Sequence, residues 1–407
     1  MKVLFLSPHF PVQMVQFTRG LAEVGAEVYG VSDVPREQLP PEVRDHLHGY
    51  LRVPSLLDED DATRRIVDAA QHLGPDRVEC LWEPCVVLAG RVREQLGVAG
   101  MDAHTAVGFR DKPIMKQRVL AAGIRVPRFS RIRTHREAYA AAEAIGYPIC
   151  VKPIAGASSA DTHRVDDPED LRRVLAAVDH HAEVNLEEFV EGDEFTYDTI
   201  CIDGEPVFES VAQYHPRPLE SRLRGWISPA QIVIRDPHQP ALMPGIRLGR
   251  AVLRALGMDT GFAHLEWYLR PDGEPVFGEV GARSPGGKLV DQICLANDID
   301  LYREWARAVC WHAFAATPSR RYHVAAVFKR AEGEGHIARI DGLCELRERL
   351  GDSLVAAETL PLGAPRHDWR HTRKSDGHVL VRHPDHDTCM EMMRFATRTL
   401  RIHAGPP

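Results

Sequence analysis

The segment His264–Gly287 constrains the fold more than any other stretch of this chain. Two extended runs of alternating character flank Asp272-Gly273, a dipeptide typical of tight β-hairpin turns. In a hairpin with a two-residue turn, residues equally distant from the turn face each other, so Glu266 is predicted to lie opposite Glu279. Alternation then places three other pairs on the opposite face: Leu265/Val280, Trp267/Gly278 and Leu269/Val276.

Two directly opposed carboxylates need something between them. Their Cβ atoms would lie about 5 Å apart, a spacing at which like charges repel. A cation, a shared proton or bulk water would relieve that repulsion, and oxygen-only ligands suit Mg²⁺ bound with a nucleotide phosphate. The alternative is an edge hairpin whose glutamates point into water.

Composition excludes some classes of function. The chain has 407 residues and a formal net charge of -8, which argues against a nucleic-acid partner because phosphate binding requires a basic surface. No apolar run is long enough for a membrane span, and the N-terminal segment lacks the apolar region of a signal peptide. The eight cysteines are scattered, which favours buried free thiols and a cytoplasmic location. The histidine spacing indicates no transition-metal site.

The first 105 residues alternate strand and helix patterns. This β-α-β order implies a parallel sheet with right-handed crossovers. No G-x-G-x-x-G follows the first strand, so a dinucleotide site is not indicated there.

A strand-end lysine, Lys152, together with the small-residue loop that follows it, favours an anion site. Lys112 begins a predicted helix, with Lys116 one turn later on the same face. Lys152 ends the apolar strand Y-P-I-C-V-K-P and leads directly into Gly156–Asp161, small residues whose amides would wrap a phosphate. The alternatives are a lysine that reaches solvent from a strand end and an ordinary turn.

The segment Glu187–Glu194 places extended apolar backbone between acidic side chains. Such a backbone would pair with a purine edge, and the carboxylates would accept from the adenine amine and the ribose hydroxyls. By itself the segment is also compatible with an acidic strand-turn-strand.

The order of these motifs resembles the ATP-grasp ligase superfamily, with similarity to the L-amino-acid ligase and biotin-carboxylase-like group. The motifs are an α/β first domain, D-K-x₃-K, a strand lysine with a small-residue loop, E-E-F-V-E-G-x-E, and H-x-E followed by E-x-x-x-R. The resemblance implies an α/β and α+β multidomain protein with an ATP-grasp fold and a Rossmann-like pre-ATP-grasp domain. Its implied domains are a Rossmann-like domain, a small lid subdomain, a large subdomain with the metal hairpin, and a C-terminal α+β subdomain, over residues 1–105, 106–184, 185–317 and 318–407.

The resemblance also implies roles for individual residues. Lys112 and Lys152 would contact ATP phosphates, Glu187 the adenine amine, Val190 the adenine through its backbone, and Glu194 the ribose. The remaining nucleotide contacts it implies are Gly156, Ser158, Ser159, Glu188 and Phe189.

The metal and reaction centre is implied in the same way. Glu266 and Glu279 would ligate Mg²⁺, or Mn²⁺ in its place, and Arg283 would act in catalysis with Lys152. Many members of the superfamily carry Asn two residues after the second metal carboxylate, where this chain has Gly281. The number of bound metal ions is therefore open.

The expected function is an ADP-forming carbon–nitrogen ligase that joins an amino acid or other small carboxylate to an amine through an acyl phosphate. A carboxylase of the same fold, of the biotin or purine-pathway type, and a nucleotide-binding regulatory protein without turnover are the alternatives. A homodimer is compatible with the family. The candidate substrate contacts are His215, Arg217, Arg224, Arg283, Gly286 and Gly287.

Overall fold

The first domain is built on a parallel four-stranded sheet. The computed structural model describes residues 1–155, 161–372 and 374–406. The elements of this domain are β1 (Lys2–Leu6), α1 (Met14–Glu23), β2 (Glu27–Ser32), α2 (Pro41–Arg44), β3 (Leu47–Arg52), α3 (Glu59–Ala70), β4 (Arg77–Cys80), α4 (Val86–Leu96) and α5 (Ala103–Gly108). The strand order is β3-β2-β1-β4, with all neighbours parallel. Since helices cover both faces, β1 is an apolar run rather than an alternating one. The predicted parallel sheet is confirmed.

A smaller antiparallel sheet follows. Its elements are α6 (Lys112–Ala121), β5 (Phe129–Ile132), α7 (His135–Ile145), β6 (Ile149–Pro153), β7 (His163–Val165), α8 (Pro168–Ala177) and β8 (Val184–Glu188). The order is β5-β8-β6-β7. Helix α6 begins where the Asp111 side chain accepts from the Ile114 amide, and α7 begins with a capping box formed by Thr134 and Glu137.

The largest sheet has eight strands. The elements that precede residue 318 are β9 (Asp193–Ile202), β10 (Glu205–His215), α9 (Pro218–Leu223), β11 (Ala230–Val233), α10 (Met243–Leu256), β12 (Gly261–Leu269), β13 (Pro275–Gly281), α11 (Leu289–Asn297) and α12 (Leu301–Trp311). Those that follow are β14 (His323–Lys329), β15 (His336–Asp341), α13 (Leu343–Leu350), β16 (Leu354–Thr359), α14 (Trp369–Thr372), β17 (Gly377–His383), α15 (His386–Thr399) and β18 (Arg401–Gly405).

The order of the large sheet is β13-β12-β9-β10-β11-β14-β17-β16, and β15 pairs with β18 separately. The sheet therefore runs continuously past residue 317, where a subdomain boundary is predicted. Strand β13 lies at its edge, so the carboxylate hairpin borders the smaller sheet.

Helix packing fixes the first domain against the large sheet. The Phe17 ring of α1 lies 4.8 Å from that of Tyr302 and 5.1 Å from that of Trp305, both on α12. A Cβ on Gly20 would lie 2.7 Å from the Tyr302 carbonyl oxygen, so glycine permits this close approach of the two helices. The contact holds the first domain beside the hairpin.

Two expectations from composition concern the whole chain. All eight cysteines are free thiols and six are buried, the exceptions being Cys294 and Cys344. Of the helices in the described part of the chain, none has the length and apolar character needed to cross a bilayer.

Candidate active site

The hairpin of β12 and β13 has the predicted register at its functional positions. Glu266 lies directly opposite Glu279, and His264 lies opposite Gly281. The neighbouring pair Leu265/Val280 is also confirmed. Both glutamates are therefore on one face of the sheet edge.

This register results from two irregularities that cancel. Arg270 and Glu274 flank a three-residue loop rather than the predicted two-residue turn, with Gly273 in the left-handed region at φ 84°. A bulge in β13 then adds one residue at Gly278 and restores the predicted pairing at Glu266. The predicted pairs Trp267/Gly278 and Leu269/Val276 are wrong by one residue, because they lie between the two irregularities.

Three buried lysines face this hairpin. Lys152 Nζ lies 2.6 Å from Glu187 Oε1, and Lys116 Nζ lies 3.1 Å from Glu187 Oε2. Glu279 Oε2 lies 3.4 Å from Lys112 Nζ and 3.7 Å from Lys152 Nζ. Lys152 therefore lies between the Glu187 carboxylate of the small sheet and the Glu279 carboxylate of the hairpin.

The electrostatics of this cluster favour its ionised form. Burial alone would raise the pKa of Glu279, but the neighbouring Lys112 and Lys152 cations outweigh burial and lower it to about 2. Burial lowers the pKa of Lys116 to about 8, although Glu187 partly opposes this change. Glu187 and Glu279 outweigh burial at Lys152 and hold its pKa well above the usual value.

An arginine borders the predicted nucleotide segment. The Arg217 guanidinium carbon lies 4.9 Å from the centre of the Phe189 ring and 4.7 Å from that of Tyr268. Arg217 donates to the Val190 carbonyl oxygen at 2.8 Å and to Glu194 Oε2 at 3.0 Å. Arg217, predicted as a substrate contact, therefore lies beside the residues predicted to bind the nucleotide.

Glu194 and Glu266 are close enough to repel each other. Burial and the charge of Glu266 raise the pKa of Glu194 to about 7, although Arg217 opposes the shift. The Tyr214 hydroxyl donates to Glu266 Oε1 at 3.1 Å. Together with Glu279, these oxygens form an acidic group that a hard cation would stabilise.

His264 is held as a donor rather than as a free ligand. Its Nδ1 lies 2.7 Å from Asp198 Oδ1, and its Nε2 lies 3.7 Å from Glu266 Oε1. Burial would lower the pKa of His264, but the buried Asp198 carboxylate outweighs it and raises the pKa to about 9. The pairing with Asp198 favours the charged form of His264, which would not serve as a ligand in place of an oxygen at Gly281.

The first domain contributes side chains to the part of the site that contains Arg283. Arg283 Nε donates to Glu83 Oε2 at 2.7 Å, and Arg110 Nη1 donates to Glu83 Oε1 at 2.8 Å. Glu83 begins a 3₁₀ turn shortly after β4. With Lys112 and His264, these three residues border a recess of about 270 Å³ between the first domain and the hairpin.

A larger cleft collects most of the predicted residues. Its empty space is about 680 Å³, part of which is open to solvent. The residues that line it come from the small sheet, the hairpin and the segment that follows β10: Lys112, Cys150, Lys152, Pro153, Thr162, Glu187, Glu188, Phe189, Val190, Glu194, Arg217, Leu219, Glu266, Tyr268 and Glu279.

Some predicted residues are placed elsewhere. Among the described residues, His215, Arg224, Gly286 and Gly287 border neither recess, and the last three are exposed. The Glu188 carboxylate is bound by the Arg128 amide and the Arg125 side chain. The predicted phosphate-loop residues Gly156, Ser158 and Ser159 lie outside the described residues.

Several residues of the site are not among those assigned roles from the sequence. Lys116 is fully buried and also donates to the Gly278 carbonyl oxygen at 2.9 Å, and its spacing from Lys112 is the only sequence signal for it. Glu83 lies near the carboxyl end of a parallel strand, where ligands bind in open α/β sheets, which would have been a usable signal. Tyr214 and Tyr268 have no distinguishing pattern.

Comparison with known proteins agrees with this geometry. Residues 145–292 match the model of the ATP-grasp domain. The L-arginine-specific L-amino acid ligase of Bacillus subtilis is 30% identical over 238 residues, which cover 56% of this chain and 57% of that protein. The alanine–anticapsin ligase of B. subtilis strain 168 is 25% identical over 64% of this chain and 59% of its own length. The chain thus spans less than two thirds of either relative.

Solved structures extend the similarity to the whole fold. The L-amino acid ligase of Bacillus licheniformis superposes with a TM-score of 0.79 at 21% identity and covers 99% of both chains. N5-carboxyaminoimidazole synthetase of Staphylococcus aureus complexed with ADP gives 0.68 at 12% identity and covers 97% of this chain and 96% of that one. At these identities the likeness establishes the fold alone. Residues 145–292 therefore match an ATP-grasp domain, and over its full length the chain has the same fold as the L-amino acid ligase of B. licheniformis.

Proposed function

We propose that this protein is an ATP- and Mg²⁺-dependent carbon–nitrogen ligase. It joins the carboxylate of an amino acid or another small acid to an amine through an acyl phosphate, and releases ADP and phosphate. The names of the curated relatives, an L-amino acid ligase and an alanine–anticapsin ligase, support this reaction class. Carboxylate and amine substrates are its proposed small-molecule partners, and a homodimer stays a prediction.

The single observation that carries the proposal is the charge of the buried cluster. Lys112, Lys116 and Lys152 are all at most 7% exposed and share two carboxylates, those of Glu187 and Glu279. Lys112 and Lys152 also line the cleft, so their charges would attract a further anion there. The phosphates of a nucleotide in the adjoining cleft would supply it.

The opposite end of the cleft suits a nucleoside. The backbone of Val190 would face the adenine edge, with the Phe189 ring beside it. Glu194 would accept hydrogen bonds from the ribose hydroxyls. Its raised pKa makes its carboxylate a more basic acceptor for them. A carboxylate has about four lone-pair sites. Lys116, Lys152 and Asn185 use three at Glu187, which leaves one for the adenine amine.

The donor set at the hairpin fits a hard divalent ion. Glu266 and Glu279 are opposed carboxylates, and burial together with the charge of Glu266 raises the pKa of the neighbouring Glu194. Mg²⁺ prefers such oxygens and Mn²⁺ accepts them. We therefore propose that Glu266 and Glu279 hold Mg²⁺, which when bound neutralises charge on the phosphate oxygens.

The residues of the site position two successive displacements. In the first, a substrate carboxylate oxygen bonds to the γ-phosphorus as the bond to ADP breaks, with Lys152 and Lys112 balancing the phosphate charge. In the second, the amine nitrogen attacks the acyl carbon, phosphate leaves with the bonding pair, and the nitrogen loses a proton. Arg283, oriented by Glu83, lies where it would stabilise the acyl-phosphate oxyanion.

Phosphate release tests the proposal. Purified protein with Mg-ATP is screened over paired amino acids and amines, and a dependence on both partners is expected. Glu279→Gln should remove at least about 99% of turnover, as loss of charge stabilisation at a phosphoryl centre does. Glu274→Gln is the matched control, since Glu274 lies on the same hairpin but pairs with the surface Arg270.

The alternatives give different outcomes. Turnover that depends on bicarbonate and not on an amine would replace the ligase with a carboxylase. ATP binding without phosphate release over every substrate pool would replace it with a regulatory protein. Full activity of Glu279→Gln would refute the assignment of the metal site.

A further inference from the structure

A second group of metal-ligand side chains lies outside the cleft. Asp161 precedes β7, and His180 and His181 occupy the turn between α8 and β8. None of the three lines either recess of the candidate active site. The sequence gives no hint of this group, because its members are separated by 19 and 20 residues and follow no familiar spacing.

The ligand atoms converge on one carboxylate oxygen. Asp161 Oδ2 lies 3.0 Å from His181 Nε2 and 3.3 Å from His180 Nε2, and the three atoms all lie within 4.8 Å of one another. At zinc bond lengths of about 2.0–2.1 Å, neighbouring ligands of a tetrahedral ion lie about 3.3–3.4 Å apart. The two separations from Asp161 Oδ2, 3.0 and 3.3 Å, are close to this edge length.

Successive histidines turn the same nitrogen, Nε2, toward one oxygen of Asp161. Without an ion, the arrangement requires each ring to donate an Nε2–H to that oxygen, which has two lone pairs. The ring centres of the two histidines are 4.0 Å apart. A bound ion accepts a lone pair from each neutral ring and needs no proton on Nε2.

We propose that Asp161, His180 and His181 form a binding site for a transition-metal ion of the Zn²⁺ class. Two imidazoles and one carboxylate are borderline ligands that suit Zn²⁺ and Co²⁺, whereas Mg²⁺ and Ca²⁺ prefer oxygen alone. His180 is 59% exposed, so the fourth position is open to water. The site is distinct in position and in ligand chemistry from Glu266 and Glu279.

The position of the site connects it to the nucleotide cleft. Thr162, the residue after Asp161, lines the cleft, and β7 then pairs with β6, which carries Lys152. An ion bound to Asp161 would tie this border of the cleft to the α8–β8 turn. Because Thr162 lines the cleft, we expect an ion at Asp161 to be coupled to ADP binding and to tighten it.

Co²⁺ titration tests the site directly. Tag-free protein in the Cys344→Ser background, which lacks the exposed thiol, is titrated in excess Mg²⁺ so that the oxygen site is occupied. One equivalent of Co²⁺ should give visible absorption typical of four-coordination and be displaced by Zn²⁺. His180→Ala and His181→Ala should each weaken binding at least about ten-fold. His72→Ala, an exposed histidine of the first domain, should not change it.

Separate outcomes test the existence of the metal site and its coupling to ADP binding. The site is refuted if no saturable band appears, or if the double variant His180→Ala/His181→Ala binds Co²⁺ as the parent does. Calorimetry with ADP then tests the coupling, with at least about five-fold tighter binding expected in Zn²⁺ for the parent and no change for the double variant. Equal affinities with and without Zn²⁺ would refute the coupling. Neither readout requires turnover, so failure of the ligase proposal would be seen separately.

Discussion

The bulge at Gly278 gives the sharpest test of how the hairpin places its carboxylates. A Cβ at this position would lie 2.7 Å from the Glu266 carbonyl oxygen, a backbone atom that cannot rotate away. To reach ordinary contact at 3.4 Å, the backbone at Glu266 must retreat by about 0.7 Å. Gly278→Ala therefore moves one proposed metal ligand relative to Glu279 without removing any functional group.

A displacement of this size is large on the scale of the chemistry. Mg²⁺ requires ligand distances of about 2.0–2.1 Å, and a misplacement of about 1 Å at a reacting centre costs about 100-fold in rate. We expect Gly278→Ala to lower kcat/KM by about 10- to 100-fold, which corresponds to about 1.4–2.7 kcal/mol of transition-state stabilisation. Crowding should also lower the free energy of unfolding by about 1–3 kcal/mol.

The assay is phosphate release as a function of Mg²⁺ concentration, at a temperature where thermal unfolding shows the variant to be folded. Half-saturation should shift to higher Mg²⁺. Gly405→Ala is a matched control, because a Cβ on that strand glycine meets only the Ala338 side chain at 3.6 Å. If Gly278→Ala keeps the parent kcat/KM and Mg²⁺ dependence within two-fold, the bulge does not set the geometry of the carboxylates.

Three further predictions concern other parts of the molecule. Arg217→Ala should weaken ADP binding about ten-fold in calorimetry, because its guanidinium stacks on Phe189 at the nucleoside end; unchanged affinity would remove it from the site. Lys116→Met should lower phosphate release about 10- to 100-fold through loss of its charge-assisted bond to the Gly278 carbonyl, although Lys116 does not line the cleft; parent rates would contradict this positioning role. Burial and nearby positive charge lower the pKa of His323 to about 4, so the unfolded chain binds a proton between pH 6.5 and 4 that the folded chain does not. The free energy of unfolding, measured in urea, should fall by about 1–3 kcal/mol as the pH falls through this window. It should fall by less in His323→Asn, and an equal fall in the parent and the variant would refute the assignment to His323.

Structural features that depend on residues close together in the sequence could be predicted from the sequence. The pairing of Glu266 with Glu279 follows from alternation around a glycine turn, and Lys152 and Glu187 lie on adjacent strands of one small sheet. The register near the turn was wrong for a local reason. A three-residue loop and a bulge each shift the pairing by one residue. Of these two irregularities, only the bulge has a sequence signal, which is the glycine at position 278.

Contacts between distant parts of the chain could not be predicted in this way. Lys116 reaches a carbonyl 162 residues away, and Arg283 reaches a carboxylate 200 residues away, so no pattern within either segment identifies its partner. The same holds for Arg217, which follows β10 of the large sheet and contacts Phe189, a residue that follows β8 of the small sheet. Tertiary packing supplies this information, and a single sequence gives no direct signal for it.

The ion pair between Arg283 and Glu83 links the first domain to the candidate active site. Burial would raise the pKa of Glu83, but Arg283 and other nearby cations outweigh it, so the carboxylate stays ionised between Arg283 and Arg110. Without Glu83, Arg283 would still be attracted to Glu266 and Glu279, the proposed metal ligands, and would compete with Mg²⁺ for them. The first domain therefore supplies the partner of Arg283. By pairing with Arg283, Glu83 would keep the two proposed metal ligands available for Mg²⁺.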